Sequence, residues 1–330
     1  MYNCIISWEN LLASWEEFLR GKRKRKDVVV FSLRLSDNLL NLRRSLLIKT
    51  YKPDRYFAFK INDPKPRDIH KASVRDRLVH HAVYRVLYPY FDNQFIYDSY
   101  SCRLNKGTHR ALDRFKVFGA KISQNNKCTA WVLKADIRKF FASIDHQILK
   151  NILIKYIKDE DTLWLLAKII DSFNTPGKVA KGLPLGNLTS QLLVNIYLNE
   201  FDHFIKRQLK IKYYIRYADD FVIFHEDKKY LKNILPIISQ FLKHELKLEL
   251  HPGKLFIKTL NSGLDFLGWV NFPAYKVLRQ STKKRMLKKL KDSRYKKESL
   301  CSYLGMISHG NAFKIKKELL SKGPMRQYLN

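Results

Sequence analysis

The segment that most constrains the fold is YYIRYADDFVIF, residues 213–224. Two runs of aromatic and β-branched residues flank Ala218, Asp219 and Asp220, a pattern that predicts a β-hairpin with two carboxylates at its tip. Adjacent aspartates repel each other and resist burial, so a fold that holds them between apolar strands needs a positive counter-ion. A divalent cation meets this need, because Mg²⁺ prefers hard oxygen ligands. The alternative is a solvated acidic turn, in which aspartate is common.

A third carboxylate, that of Asp136, directly follows the apolar, strand-like run of residues 131–135. A lone aspartate after a strand is usually a cap or turn residue. Together with the later hairpin, Asp136 becomes a candidate third ligand. Three carboxylates that hold two Mg²⁺ ions roughly 3.5–4 Å apart form the arrangement used for in-line phosphoryl transfer. The pattern therefore predicts a two-metal catalytic site at Asp136, Asp219 and Asp220.

Further motifs occur in order over roughly residues 50–320. They are KPRDI (65–69), RDRLVHHAVYRVLYPYF (75–91), IYDSYSCRLNKGTHRAL (96–112), GLPLGNLTSQ (182–191), FLGW (266–269) and SYLGMISHGNAFKI (302–315). YADD with the upstream ADIRKFF resembles the catalytic core of reverse transcriptases. With the ordered set of motifs, the chain more narrowly resembles the reverse transcriptases of diversity-generating retroelements.

The resemblance implies a fold and a division of the chain. The fold is an α+β right-hand polymerase with fingers, palm and thumb, whose palm is a ferredoxin-like or RRM-like antiparallel sheet with helices. We expect four segments: a helical N-terminal extension at 1–50, fingers at 51–125, a palm at 126–262 with a fingers-derived loop at 175–191, and primer grip and thumb at 263–330.

The resemblance also implies an activity, a cofactor and partners. The activity is RNA-directed DNA polymerisation, a nucleotidyl transfer that copies template-repeat RNA into adenine-mutagenised cDNA for mutagenic retrohoming. Two Mg²⁺ ions, with Mn²⁺ as a substitute, are expected at Asp136, Ile137, Asp219 and Asp220. The expected partners are template RNA, the RNA/cDNA duplex, dNTP and an oligomeric accessory variability determinant protein.

Six positions are expected to contact the incoming nucleotide. A triphosphate calls for bidentate guanidinium contact, which Arg67 on the predicted returning strand of a hairpin can provide. Phe141 matches the family's steric gate, a ring that clashes with a ribose 2′-hydroxyl. Common reverse transcriptases carry Gln and Pro where this chain has Leu185 and Gln191, and the apolar Leu185 cannot donate the hydrogen bond of Gln. The expected set is Lys65, Arg67, Phe141, Leu185, Gly186 and Gln191.

Other predicted contacts are with primer, template and duplex. The turn at 263–269 resembles a primer grip, with Phe266, Leu267 and Gly268 at its centre. A basic amphipathic helix at 283–297 is suited to the duplex backbone. The cations expected on template or duplex are Arg75, Arg103, Lys106, Lys283, Lys284, Arg285 and Lys288. For the arginines of the helix at 75–91, pairing with acids is the alternative.

The charge and the cysteines limit the setting. The formal net charge is +33, which implies a polyanionic partner because phosphates neutralise such self-repulsion. A membrane surface is the weakest alternative, since the basic residues are spread along the chain and no apolar run is long enough to span a bilayer. Four scattered cysteines without metal-ligand spacing predict a reducing, cytoplasmic setting. The resemblance implies that the system is bacterial, archaeal or phage-encoded.

Two alternatives to the favoured function remain open at this stage. One is a retron, group II intron-like or defence-associated reverse transcriptase, against which the LGNLTSQ motif favours the diversity-generating group. The other is an RNA-binding protein with an inactive palm. The intact Asp136, Asp219 and Asp220 argue against the second, because a pure binder gains nothing from three clustered acids that face polyanions.

Overall fold

The structure is a computed structural model that describes residues 1–62, 66–291, 297–313 and 315. The chain divides into two compact units. The first unit comprises Met1–Cys102, Ile137–Lys210 and Ile237–His251. The second comprises Arg103–Asp136, Ile211–Pro236 and, as far as the chain is described, Pro252–Asn330. The finer division into fingers, palm and thumb stays a prediction.

The described residues form helices and strands in an α+β arrangement, as the sequence predicts. The helices are α1 Tyr2–Ile5, α2 Trp8–Leu19, α3 Lys26–Leu33, α4 Leu35–Leu47, α5 Val74–Asp92, α6 Thr108–Ile122, α7 Phe140–Ser143, α8 His146–Tyr156, α9 Glu160–Asp171, α10 Leu188–His203, α11 Lys228–Glu245, α12 Gln280–Lys291 and α13 Lys297–Ile307. The strands are β1 Phe57–Ile61, β2 Arg67–Lys71, β3 Trp131–Asp136, β4 Tyr214–Tyr217, β5 Asp220–His225, β6 Phe256–Thr259, β7 Leu264–Phe266, β8 Trp269–Asn271 and β9 Lys276–Leu278.

The first unit is built around helix α5. The Ser73 hydroxyl caps its N-terminus by accepting a hydrogen bond from the Asp76 N–H. Apolar residues at helical spacing, among them Leu78 and Ala82, are fully buried on the face that packs against α2 and α10. Strands β1 and β2 form an antiparallel hairpin in the same unit. The predicted hairpin before residue 70 is therefore confirmed.

The second unit is built around a four-stranded antiparallel sheet in the order β4-β5-β3-β6. Along the chain, helices separate β3 from β4 and α11 separates β5 from β6, which is the ferredoxin-like β-α-β-β-α-β sequence of elements. Apolar side chains of β3 and β5 are buried, including Leu133 and Ile223, which are paired across the strands. A separate three-stranded sheet, β7-β8-β9, lies in the same unit.

Several predicted element boundaries differ from the structure. The sequence predicts a helix from Gln191 to Leu209 that Thr189 and Ser190 open. Helix α10 instead begins at Leu188 with Asn187 as N-cap, and Thr189 and Ser190 are buried inside its first turn. The helix was predicted to run to residue 209, but α-helical geometry ends at His203 and a π-helical turn follows at Phe204–Gln208. The basic helix predicted at 283–297 begins earlier, since α12 spans Gln280–Lys291, and its predicted end is not tested because residues 292–296 lie outside the described chain. Within the described residues, no helix combines the length and apolarity needed to cross a membrane.

Candidate active site

Strand pairing in the second unit sets the three predicted aspartates close together. Asp136 ends β3 and lies directly opposite Asp220, the first residue of β5. Tyr217 of β4 pairs with Asp220, so Ala218 and Asp219 form a two-residue hairpin turn. Ala218 adopts a left-handed φ of 53°, which such tight turns require of one residue. Register and turn geometry therefore put all three carboxylates at one end of the sheet, as the sequence predicts.

Two lysines of the same unit neutralise this acidic end. The Lys254 ammonium lies 2.8 Å from both carboxylate oxygens of Asp136. The Lys134 ammonium lies 3.5 Å from Asp220 Oδ1 and only 9% of its side chain is exposed. Lys134 precedes Asp136 by two residues on β3, so both side chains point to the same face of the strand. The carboxylates thus already attract positive charge from within the protein.

Burial and mutual repulsion disfavour the charged forms of the two turn aspartates. Burial, and then the negative charge of Asp136, raise the pKa of Asp219 to about 6. Burial also raises the pKa of Asp220, and the nearby Lys134 partly opposes that increase. Desolvated carboxylates that repel each other gain most from a multivalent cation, because it interacts with all of them at once.

The donor set fits a hard divalent cation. Asp220 Oδ1 is buried, and among the described residues its nearest positive partner is the Lys134 ammonium at 3.5 Å, at the distance of an ion pair. Within the described chain, no three His, Cys, Asp or Glu side chains converge closely enough to ligate one ion, and Asp136 is held by Lys254 instead. The buried Ile137 has a hydrocarbon side chain, so its backbone carbonyl is the oxygen that it can offer to a cation. The chemistry of the donors matches Mg²⁺, and their use as ligands remains a proposal.

Three residues of this site were not identified from the sequence. Lys134 and Lys254 contact the carboxylates, and the fully buried Arg216 donates a hydrogen bond of 3.2 Å from Nη1 to the Ala218 carbonyl in the turn. The two-residue spacing to Asp136 on a strand is a signal that could have identified Lys134. Arg216 is a charged residue within an otherwise apolar strand, which is a second usable signal. Lys254 follows a His-Pro-Gly turn and carries no comparable signal.

In the first unit, the glycine- and proline-rich loop at 175–191 is joined to strand β2 by backbone contacts. The His70 N–H donates to the Leu185 carbonyl at 3.1 Å. The Asn187 side chain donates back to the His70 carbonyl at 2.9 Å. Gly186 has a φ of 104°, and a Cβ there would lie 2.9 Å from Ile69, so glycine is required. We call these contacts between residues 69–70 and 185–187 the loop clamp.

Leu185 and Gly186 of the predicted nucleotide-binding set lie in the loop clamp, and two further members lie on segments joined to the same loop. Arg67 is exposed at the start of β2, the strand that the loop joins. Phe141 is half-buried, and its carbonyl accepts a hydrogen bond of 2.8 Å from the Leu183 N–H of the loop. The sequence favours a core position for the neighbouring Phe140, and this side chain is only 2% exposed.

The other two predicted nucleotide-binding residues do not join the clamp. Gln191 is half-buried inside helix α10 rather than at its start. Lys65 lies outside the described residues.

A tight turn joins β7 to β8 in the second unit, at the position where the sequence predicts a primer grip. Leu267 and Gly268 both have positive φ values, 52° and 86°, and both are half-buried. Phe266 is fully buried and stacks on Phe115 at 5.8 Å between ring centroids. Of the three predicted residues, only Leu267 and Gly268 are therefore accessible to a primer.

The predicted template- and duplex-binding cations have different surroundings. Arg75 pairs with acids, which is the alternative to template contact that the sequence leaves open. Its guanidinium lies 2.9 Å from Asp54 and 3.3 Å from Asp76. On α12, the buried Met286 faces inward, whereas Lys284 and Lys288 are exposed. Four further predicted positions are half-buried: Arg103, Lys106, Lys283 and Arg285.

Known proteins share this sequence pattern and fold. The family model described as reverse transcriptase (RNA-dependent DNA polymerase) matches residues 59–307. Protein YkfC of Escherichia coli is 28% identical, over 71% of this chain and 71% of YkfC. The group II intron-encoded protein LtrA of Lactococcus lactis is 26% identical, over 68% of this chain, which spans only 48% of LtrA.

A solved structure shows that the likeness extends to the fold. Telomerase from Candida albicans, determined with a fragment of telomeric RNA, superimposes with a TM-score of 0.52 at 11% identity, over 72% of this chain and 50% of the telomerase chain. At that identity the similarity concerns the polymerase fold alone. The family match covers most of the chain and confirms the predicted enzyme class. The chain belongs to the reverse transcriptase family of RNA-directed DNA polymerases.

Proposed function

We propose that this reverse transcriptase copies template-repeat RNA into adenine-mutagenised cDNA for a diversity-generating retroelement. The observation that carries the catalytic part is the strand register that sets Asp136 opposite Asp220, with Asp219 in the adjoining turn. The proposed setting is the cytoplasm of a bacterial, archaeal or phage system. Its proposed partners are template RNA, the RNA/cDNA duplex, dNTP and an oligomeric accessory variability determinant protein.

The three aspartates hold the charge on which the reaction depends. When bound there, two Mg²⁺ ions would activate the primer 3′-hydroxyl and neutralise the leaving pyrophosphate. Asp136, Asp219 and Asp220 are the proposed ligands, together with the backbone of Ile137. Lys134 favours the ionised form of Asp220, the form that a cation requires. Arg216 fixes the Ala218 carbonyl and so orients the turn that carries Asp219.

The loop clamp carries the proposed selectivity for the nucleotide. Arg67 binds the triphosphate through its guanidinium, which offers paired donors in a fixed plane. Phe141 excludes the ribose 2′-hydroxyl by the bulk of its ring. The Leu185 side chain cannot donate a hydrogen bond to the nascent base pair, so discrimination there rests on shape alone. This loss of polar recognition is the proposed source of errors opposite template adenine.

A second candidate function is favoured by the relatives. LtrA is a group II intron-encoded protein, so this chain could serve an intron or a retron-like element with the same polymerase chemistry. The two functions predict different products, because an intron enzyme must copy its template faithfully whereas a diversity-generating enzyme misreads adenine. The discriminating feature of this chain is the LGNLTSQ segment at residues 185–191.

Primer extension on an RNA template, with Mg²⁺ and all four dNTPs, followed by sequencing of the product, tests the proposal. The template carries adenines and the other three bases in matched sequence contexts. Substitutions concentrated opposite adenine support the diversity-generating function, and uniform fidelity supports the intron or retron function. If no product forms, the reaction is repeated with the accessory protein and native template RNA. RNA binding without any product in both reactions supports the RNA-binding alternative and rejects the enzyme.

A further inference from the structure

A small basic pocket lies within the first unit, and none of its residues is among those proposed above for metal or nucleotide binding. Its volume is about 290 Å³. Three segments form the walls of the pocket. They are residues 138–143, residues 178–181 of the glycine- and proline-rich loop, and residues 247–249. Its cationic lining residues are Arg138, Lys139, Lys178, Lys181 and Lys247. Ser143 adds a hydroxyl and Glu249 the single carboxylate of the lining, so the pocket carries a net charge of four positive.

The positive charge of this pocket is poorly neutralised by the protein. Arg138 lies 3.6 Å from Glu249, and both side chains are more than half exposed. Among the described residues, no carboxylate forms an ion pair with any of the pocket's four lysines. Five cations held around a volume this small repel one another, because each pair at close range costs energy even near the surface. The arrangement is therefore one that an anion stabilises.

The backbone under these side chains is fixed by hydrogen bonds. The Arg138 N–H donates to the Glu249 carbonyl at 2.8 Å, which joins two of the walls. In the loop, the Thr175 N–H donates to the Lys181 carbonyl at 2.8 Å, and the Lys178 N–H donates to the Thr175 carbonyl at 2.9 Å. The cationic side chains are thus presented from preorganised backbone, which lowers the entropic cost of binding.

The backbone of Lys139, on the wall of the pocket, is strained. It is held in left-handed backbone geometry with a φ of 47°, a conformation that is costly for a residue with a side chain. Such strain persists where the surrounding structure imposes it, and it is concentrated at ligand-binding positions. Here it places a lysine on the wall of a cationic pocket.

We propose that this pocket binds the di- or triphosphate group of a small molecule, such as free pyrophosphate or a nucleoside triphosphate. A nucleic-acid backbone carries one negative charge per nucleotide and is followed by an extended basic groove. Pyrophosphate instead concentrates several negative charges in one compact group. A confined volume with four net positive charges matches the compact anion better than the extended one.

Lysine labelling resolved by mass spectrometry tests the proposal on the 330-residue chain. The protein is acetylated in EDTA at physiological ionic strength, with and without inorganic pyrophosphate, and dATP is a parallel probe. We expect pyrophosphate to slow labelling of Lys178 and Lys181 about fivefold or more. The exposed Lys158 and Lys168 of the same unit are internal controls and should change less than twofold. Equal protection of all four lysines, or protection of none, overturns the proposal. Protection by dATP identifies a nucleotide as a ligand, and protection by pyrophosphate alone identifies the free diphosphate.

A charge-matched pair of variants gives a second test. Lys178→Gln/Lys181→Gln should weaken pyrophosphate binding in calorimetry about tenfold, because two of the five cations are lost. Lys158→Gln/Lys168→Gln removes the same charge outside the pocket and should change the affinity less than twofold. The proposal is wrong if the pocket variant loses affinity for a single-stranded RNA oligonucleotide while pyrophosphate binding is unchanged. In that case the pocket binds nucleic acid. Both assays are independent of polymerase activity, so their failure and that of the proposed function are distinguishable.

Discussion

The acidic end of the four-stranded sheet and the loop clamp use opposite means to position functional groups. At the sheet end, side chains carry the chemistry, and ionic contacts from the buried Lys134 and the partly exposed Lys254 balance their charge. In the loop clamp, hydrogen bonds of the His70 and Leu185 backbone and of the Asn187 side chain hold the loop, and the apolar side chain of Leu185 makes none of these bonds. We infer that substitutions of the aspartates at the sheet end almost abolish nucleotide incorporation, whereas substitutions in or next to the loop clamp change nucleotide selectivity gradually.

The largest effect is expected from Asp219→Asn, which keeps the size of the side chain and removes its charge. Incorporation of dNTP should fall about 10³-fold or more, because metal stabilisation of the reaction supplies several kcal/mol and each 1.4 kcal/mol is a factor of ten. RNA affinity, measured by filter binding, should remain within about twofold. The control is Asp113→Asn, at an exposed aspartate of the same unit, which should leave incorporation unchanged. If incorporation in Asp219→Asn falls only a few-fold, the proposed difference between the sheet end and the loop clamp is wrong.

The next effect concerns stability rather than rate. Lys134→Met leaves Asp220 without its buried counter-charge, and we expect the free energy of unfolding to fall by about 1–3 kcal/mol. Chemical denaturation in EDTA measures it. The double variant Lys134→Met/Asp220→Asn should recover part of the loss, since it removes both charges. If the loss of unfolding free energy in the double variant equals the sum of the losses in Lys134→Met and Asp220→Asn, the two side chains do not interact.

A selectivity change is expected at Phe141, whose carbonyl is anchored to the loop while its ring is half-buried. Phe141→Ala should raise ribonucleotide incorporation relative to deoxynucleotide incorporation by about 10- to 100-fold, because the clash with the 2′-hydroxyl is removed. Competing primer-extension reactions with rNTP and dNTP measure the ratio. Phe313→Ala, at an exposed phenylalanine, is the control. An unchanged ratio in Phe141→Ala would remove the gate role.

The smallest effect is expected at Leu185. Leu185→Gln restores a hydrogen-bond donor, and misincorporation opposite template adenine should fall roughly two- to tenfold, as a bond worth about 0.5–1.5 kcal/mol allows. Sequencing of cDNA made by the two enzymes gives the ratio, with Ile154→Gln on the exposed face of α8 as the control. Loss of all activity in Leu185→Gln would contradict the graded behaviour proposed for the clamp.

The sheet end could be predicted from the sequence because its signals are local. Alternating and apolar runs around YADD define β4 and β5, and a carboxylate after the run at 131–135 ends β3. Asp145 before the apolar run of α8 has the sequence pattern of a helix cap, and its side chain accepts hydrogen bonds from the Gln147 and Ile148 N–H groups. Such short-range patterns are determined by a few neighbouring residues.

The remaining features could not be predicted because they depend on contacts between distant parts of the chain. Lys254 reaches Asp136 across 118 positions of sequence, and Asn187 reaches His70 across 117. The burial of Phe266 against Phe115 is likewise a consequence of packing, so an apolar turn residue cannot be assigned to a primer or to the core from sequence alone. The start of α10 was misplaced because Thr189 and Ser190 resemble helix caps but are buried within the first turn.

Counting bound Mn²⁺ by electron paramagnetic resonance tests the central claim most directly. The complex contains the chain, an RNA template, a DNA primer with a dideoxy end and the next dNTP, so that no reaction occurs. We expect two Mn²⁺ ions per complex for the wild-type chain and at least one fewer for Asp219→Asn. The same number of ions in both proteins would contradict the assignment of the aspartates as the metal ligands.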